Sequence, residues 1–275
     1  MLRQTGYLNA AEWCEHIRDY LKLYPKHTND LVQDLNNFFD AFKKDFLDSV
    51  EEGNRKLRQD CLEVVQVLLE RAIEKGVNIN ETLRQLVPYV DRSLAANKPI
   101  NKMDEAFNAL NESLLEIKVY GYLFTFMLHV DGQYFPTIKT LCALKMTGDG
   151  QTFTLENIES LNLNQMQNLL GKFGSPIFKI YDSSGRRLRN AIAHCNFTYS
   201  REKLTCWNID PKTKQIIWQH DFTIAELSAV INDLKSVSQA FVTWFIMREL
   251  AEKLAKHVGK DGLHLKFEYA TATKH

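Results

Sequence analysis

The chain is predicted to be mainly α-helical: a helical bundle with a small β-hairpin insertion and an additional N-terminal helical region. Three observations predict it. Apolar residues recur at three- and four-residue steps over the first two thirds of the 275 residues, which is the period of an amphipathic helix. That period gives way to alternation within residues 197–219, the period of a half-buried strand. The composition, 45% hydrophobic and 25% charged, is that of a globular protein able to bury a core.

The elements follow in order. Trp13, Ile17, Tyr20, Leu21 and Tyr24 mark a first helix, ended by Pro25. Leu31, Leu35, Phe38, Phe39, Phe42 and Phe46 mark a second, capped at Thr28 or Asn29 and closed by Gly53. Leu57, Cys61, Val64, Val65, Leu68 and Ala72 mark a third, stopped at Gly76. Residues 80–94 read as a helix kinked at Pro88, and Asn97-Lys98-Pro99 is the candidate linker. The expected division is an N-terminal helical region at 1–98, a helical domain at 99–260 with its hairpin at about 197–219, and a tail at 261–275.

The second region opens with a helix over 104–129 that Asp131-Gly132 ends, then a shorter helix over 136–145. The loop Gly148-Asp149-Gly150 and a helix over 155–170 follow, before Gly171 and Gly174 break the chain. Residues 175–195 form another helix, whole or in two pieces, with Asp182 or Ser183 available as a cap. Ile177, Tyr181, Leu188, Ile192 and Cys195 share one face of it. Residues 197–199, 203–209 and 215–219 alternate, and Asp210-Pro211-Lys212-Thr213 supplies a turn. A last helix starts at Thr223, with Glu226 three residues on as a capping box, and runs to about His257 before Gly259. Residues 263–269 alternate like a short strand.

Several function classes are set aside at this stage. The five cysteines are odd in number and scattered, so no disulfide framework or structural zinc site is expected, and free thiols fit a cytoplasmic protein. No basic segment followed by an apolar one opens the chain, so no signal peptide is expected. The most apolar stretch, 119–130, falls short of the ~20 residues of a membrane helix. Gly148 and Gly150 lack a lysine in phosphate-loop register. His129 and His220 have no partners at metal-ligand spacing, so both are read as structural. Glu112 and Glu116 are read as solvated, as is the acidic run from Asp30 to Glu52.

Charge is distributed unevenly. The 34 basic and 34 acidic residues cancel, yet Lys172, Lys179, Arg186, Arg187, Arg189, Arg201 and Lys203 face only Asp182 and Glu202 between positions 172 and 203. Such a local excess of positive charge suits a polyanion. Within it lies Arg189-Asn190-Ala191-Ile192-Ala193-His194. A neutral imidazole can take the proton from a ribose 2′-hydroxyl, and a guanidinium can hold the charge that develops at phosphorus. Such cleavage requires RNA and no metal. Arg189 and His194 differ by roughly 140° and about 7.5 Å on a helix, so one chain does not automatically bring them together. Asn190 and His194 do share a face, with Arg187 further back on it.

These six residues resemble the arginine, four to six residues, histidine motif of the HEPN superfamily, in its form with a polar residue after the arginine. The resemblance covers roughly 100–258. It implies a metal-independent endoribonuclease of the toxin or anti-phage defence kind, dimeric, with the two motifs meeting at the interface. It implies no cofactor, and RNA, a second copy, and an antitoxin or sensor protein as partners. Arg189, Asn190 and His194 are the implied catalytic residues, with Arg186, Arg187, Lys179 and Arg201 binding RNA. Family toxins paired with nucleotidyltransferase antitoxins carry a tyrosine two residues after the histidine. Here that residue is Asn196, so that partner is not implied. Inactive family members that bind RNA or protein are the alternative.

Overall fold

The structure, a computed structural model, describes residues 31–110, 115–174, 177, 178, 181, 185–200 and 203–258. The helix expected at 13–24, its neighbouring caps Thr28 and Asn29, the caps Asp182 and Ser183, Gly259 and the strand expected at 263–269 lie outside the described residues. Among the described residues the chain is mainly helical, with one small antiparallel sheet. Two compact units divide it: residues 1–55 with 243–275, and residues 56–242.

In the first unit, Asp40, Asp45 and Asp48 of α1 (Leu31–Asp48), and Glu51 and Glu52 after it, are exposed to water. α1 ends at Asp48 and not at Gly53, because the Ser49 hydroxyl donates to the Phe46 carbonyl at 2.9 Å and takes up a last-turn acceptor. Gly53 belongs instead to the first turn of α2 (Glu52–Glu74).

The second unit carries the candidate site. α2 buries Cys61, Leu62, Val65, Leu68 and Ala72, then stops at Gly76, whose φ of 71° lies in the left-handed region that favours glycine. α3 (Ile79–Asn108) starts where the Asn78 side chain accepts from the Glu81 N–H. It runs without interruption through Asn97-Lys98-Pro99, so the expected linker is helical. Two causes are visible. Pro88 and Pro99 are exposed, and the carbonyls they leave without a donor belong to exposed Arg84 and Ala95, where water can replace it. Asn97 is also tied down, its Oδ1 accepting from Gln133 Nε2 at 2.6 Å, and Ile100 beyond it is buried.

The helix expected over 104–129 is two helices, since α3 ends at Asn108 and α4 (Leu115–His129) begins afterwards. Asp131-Gly132 does not stop α4. It lies in a π-helical turn, Val130–Tyr134, that leads directly into α5 (Phe135–Gly148). A Cβ on Gly132 would come within 2.9 Å of the Ala96 Cβ, so glycine permits the close approach of this turn to α3. Among the described residues no helix is long and apolar enough to cross a membrane. Within 119–130, Val119, Leu123, Phe126 and Val130 are core residues.

The helix expected over 155–170 divides into α6 (Leu155–Glu159) and α7 (Leu163–Leu170). Asn162 and Gln165 form a reciprocal capping box that restarts the helix. A 3₁₀ turn, Gly171–Phe173, follows. The motif helix is α8 (Arg186–Ala193). Then come β1 (Phe197–Ser200), β2 (Lys203–Ile209) and β3 (Ile216–Phe222), in sheet order β1-β2-β3. The expected hairpin thus carries a third strand. α9 (Ile224–Val258) starts as expected: the Thr223 hydroxyl accepts from the Glu226 N–H at 3.2 Å, while Glu226 accepts from the Thr223 N–H at 2.8 Å.

Candidate functional site

The motif helix is anchored on its apolar side. Ile177, Tyr181 and Leu188 of the expected stripe are buried, Ile192 is half-buried, and Ala191 beside it is buried. The Tyr134 hydroxyl donates to the Ile177 carbonyl at 3.2 Å, and the Tyr134 and Tyr181 rings stack at 5.3 Å. These contacts hold the run before α8 against the π turn. One expectation fails: Cys195 is exposed and does not continue the stripe.

The reason lies in how α8 ends. His194 is the C-cap, and Cys195 follows at a φ of 54°. The Asn196 N–H donates to the Ala191 carbonyl at 2.8 Å and the Cys195 N–H to the Ile192 carbonyl at 3.0 Å. This is a Schellman ending with cysteine in the place usually taken by glycine. The Trp207 N–H then donates to the Asn196 carbonyl at 3.0 Å, which fastens the helix end to β2. A second tie joins Asn208 Nδ2 to the Arg187 carbonyl at 3.0 Å. His194 is therefore exposed but held on a backbone secured at both sides.

Two clefts flank α8. The larger, about 850 Å³, is lined by Arg186, Arg187, Asn190, His194, Asn196, Asn208, Lys214 and Trp218, among others. Among the described residues its charged lining residues are all cations. The smaller, about 380 Å³, is lined by Arg92, Asp131, Lys139, Tyr181, Arg186, Arg189 and Asn190, with apolar residues from α5 and α7. Arg186 and Asn190 border both. The helical offset expected between Arg189 and His194 is expressed in this division: His194 lines the larger cleft and Arg189 the smaller.

Arg189 is engaged where it lies. Its Nη2 sits 3.5 Å from Asp131 Oδ1 on the π turn, and its Nε is buried without a hydrogen-bond partner among the described residues. The structure thus groups Asn190, His194, Arg186 and Arg187 and sets Arg189 apart. Lys179 and Arg201 lie outside the described residues.

The remaining candidates resolve as structural or solvated. Glu116 is exposed and accepts from the Tyr120 hydroxyl at 2.8 Å, and Glu112 lies outside the described residues. His129 is buried, with Nδ1 2.6 Å from Gln133 Oε1, and burial holds its imidazole down at about 4. His220 packs edge-on against the Phe222 ring at 4.5 Å. Burial pushes the Cys61, Cys142 and Cys206 thiols up to about 12, which leaves them inert as nucleophiles at neutral pH.

Sequence reasoning missed Trp218, Lys214 and Asn208. Their signal was the alternation of 203–209 and 215–219 just beyond the basic run, with Lys214 in the turn between. It identified a strand but not the helix that the strand faces. No family model, curated protein or solved structure matches this chain significantly.

Proposed function

We propose that the chain is a metal-independent endoribonuclease of the toxin or anti-phage defence kind, acting as a two-fold dimer. One observation carries the reading: an exposed histidine on a fixed helix end lines an open cleft whose charged residues, among those described, are all cations. A phosphodiester backbone is the complementary ligand. In the proposed step His194 takes the proton of a ribose 2′-hydroxyl. The 2′-oxygen forms a bond to the adjacent phosphorus as the bond to the 5′-oxygen breaks. The 5′-oxygen takes a proton from solvent water as it leaves, and His194 returns its proton to solvent, giving a 2′,3′-cyclic phosphate and a 5′-hydroxyl. Guanidinium groups stabilise the charge at phosphorus. Arg189 reaches this phosphate from the second copy, because its own chain turns it into the neighbouring cleft.

The test is cleavage of a mixed RNA pool with chelator present. His194→Ala and Arg189→Ala should each lose cleavage while the fold persists, since His194 is exposed and Arg189 half-exposed. Mixed and allowed to exchange, the two inactive variants should recover about a quarter of the parent rate, as a shared two-fold site requires. DNA of the same sequence should survive. Cleavage by His194→Ala would overturn the proposal.

A second reading is favoured by the Arg189–Asp131 pair. A helical module that binds RNA or a protein partner without cleaving RNA would use Arg189 structurally. It requires the parent protein to leave RNA intact in the same assay.

A further inference from the structure

The larger cleft has one wall that the cleavage chemistry does not use. Trp218 is half-buried on β3 and sits opposite Asn208 of β2 in the strand register. Because side chains alternate along a strand, Trp218, His220 and Phe222 lie on one face. The Trp218 and His220 ring planes are within 16° of parallel, and the buried Phe222 braces His220 edge-on at 4.5 Å. The indole orientation is thus set by a row of three rings.

Above the indole stands Arg187 of α8, its guanidinium carbon 6.0 Å from the ring centroid. The bond from Asn208, Trp218's partner in the register, to the Arg187 backbone carbonyl fixes helix to strand, so the spacing of the two backbones belongs to the fold while the Arg187 side chain can adjust. A nucleobase stacked between them needs about 3.4 Å on each side, close to 7 Å in all. An opening of about 1 Å, within reach of an exposed arginine side chain, would admit one planar base. Lys214 stands on the same cleft, in a turn where Asp210 Oδ1 accepts from the Lys212 and Thr213 N–H groups at 2.7 and 2.9 Å. Asn190 and Asn196 add amide groups able to meet a base edge.

We infer that Trp218 and Arg187 form a clamp for one unpaired base of single-stranded RNA, with Lys214 holding a neighbouring phosphate. The inference rests on the ribonuclease reading and deepens it by naming the substrate as unpaired RNA. A base within a duplex is already stacked on both faces and cannot enter. Aromatic stacking of this kind tolerates any base, and the cationic guanidinium adds attraction on the other face.

The experiment uses the full chain and a short fluorescein-labelled single-stranded RNA, 2′-O-methylated so that it cannot be cut, read by anisotropy. Trp218→Ala should raise Kd roughly 5- to 140-fold, and Trp218→Phe should recover most of the loss. A series of RNAs, each lacking the base at one position, separates stacking from folding. In the parent, one position should lose as much affinity as Trp218→Ala does. In Trp218→Ala, the same missing base should cost nothing further. A fully paired hairpin without overhangs should bind more weakly than the single strand. If the parent binds RNA yet no missing base matters, or Trp218→Ala binds as tightly as the parent, the clamp is overturned and the ribonuclease reading stands. If the parent binds no RNA at all, the ribonuclease reading falls and takes the clamp with it.

Discussion

Asp131→Asn is the substitution that weighs most on how the motif arginine works. Asp131 Oδ1 lies 3.5 Å from Arg189 Nη2, and the two side chains are 45% and 35% exposed. At that distance two unit charges attract by about 1 kcal/mol in a water-like medium. The lower-dielectric figure, several times larger, does not apply to groups this wet, and measured exposed pairs fall at or below 1 kcal/mol. Removing the charge should therefore cost less than about 1 kcal/mol of stability, a fall of no more than roughly 2–4 °C in apparent Tm. Its effect on cleavage has the opposite sign. If Arg189 must leave Asp131 to reach a phosphate, the variant no longer spends that energy. kcat/KM on a defined single-stranded RNA should rise by up to about 5-fold, more so at low salt, where the pair is least screened. The assay compares parent, Asp131→Asn and Arg189→Ala under single-turnover conditions at two ionic strengths. A tenfold drop in kcat/KM for a folded Asp131→Asn would refute the reasoning, because Asp131 would then be holding Arg189 in its working position.

Two further predictions concern stability. Cys195 occupies a left-handed position that an L side chain enters at about 1–2 kcal/mol, partly offset by the greater chain entropy glycine loses on folding. Cys195→Gly should stabilise the protein by about 0.5–1 kcal/mol in denaturant titration and leave RNA cleavage unchanged. A loss of cleavage would give the exposed thiol a role that its position does not suggest. His129 is buried, and desolvation, with the charge of Lys235 as a smaller contribution, holds its imidazole at about 4, while the unfolded chain titrates near the ordinary 6.5. The unfolded state therefore takes up this proton first as pH falls. The stability concerned is complete above about pH 6.5 and is lost towards pH 4, to a ceiling of roughly 3 kcal/mol. His129→Gln should flatten that part of the Tm–pH curve; an unchanged slope would mean that other groups set it.

The sequence by itself determined what depends on neighbours a few residues apart. The 3.6-residue stripes marked α1, α2 and α8, and the Thr223–Glu226 pairing announced the start of α9, because helix torsions and caps are local. Alternation marked the sheet for the same reason. The angular separation of Arg189 from His194 was also legible, since it follows from helix geometry alone. What only the tertiary structure decided depends on partners distant along the chain. Asn97 reads as a linker residue until Gln133, 36 positions away, donates to it. Asp131-Gly132 reads as a stop until α3 packs close enough to require a glycine there. The sequence separated the two motif residues but could not say what lay on either side of them. The π turn brought Asp131 to Arg189, and the strand register brought Trp218 beneath Arg187. Local periodicity carries no information about which faces meet, because that is decided by burying several stripes at once in one core. The cleft chemistry was therefore read from the packed chain.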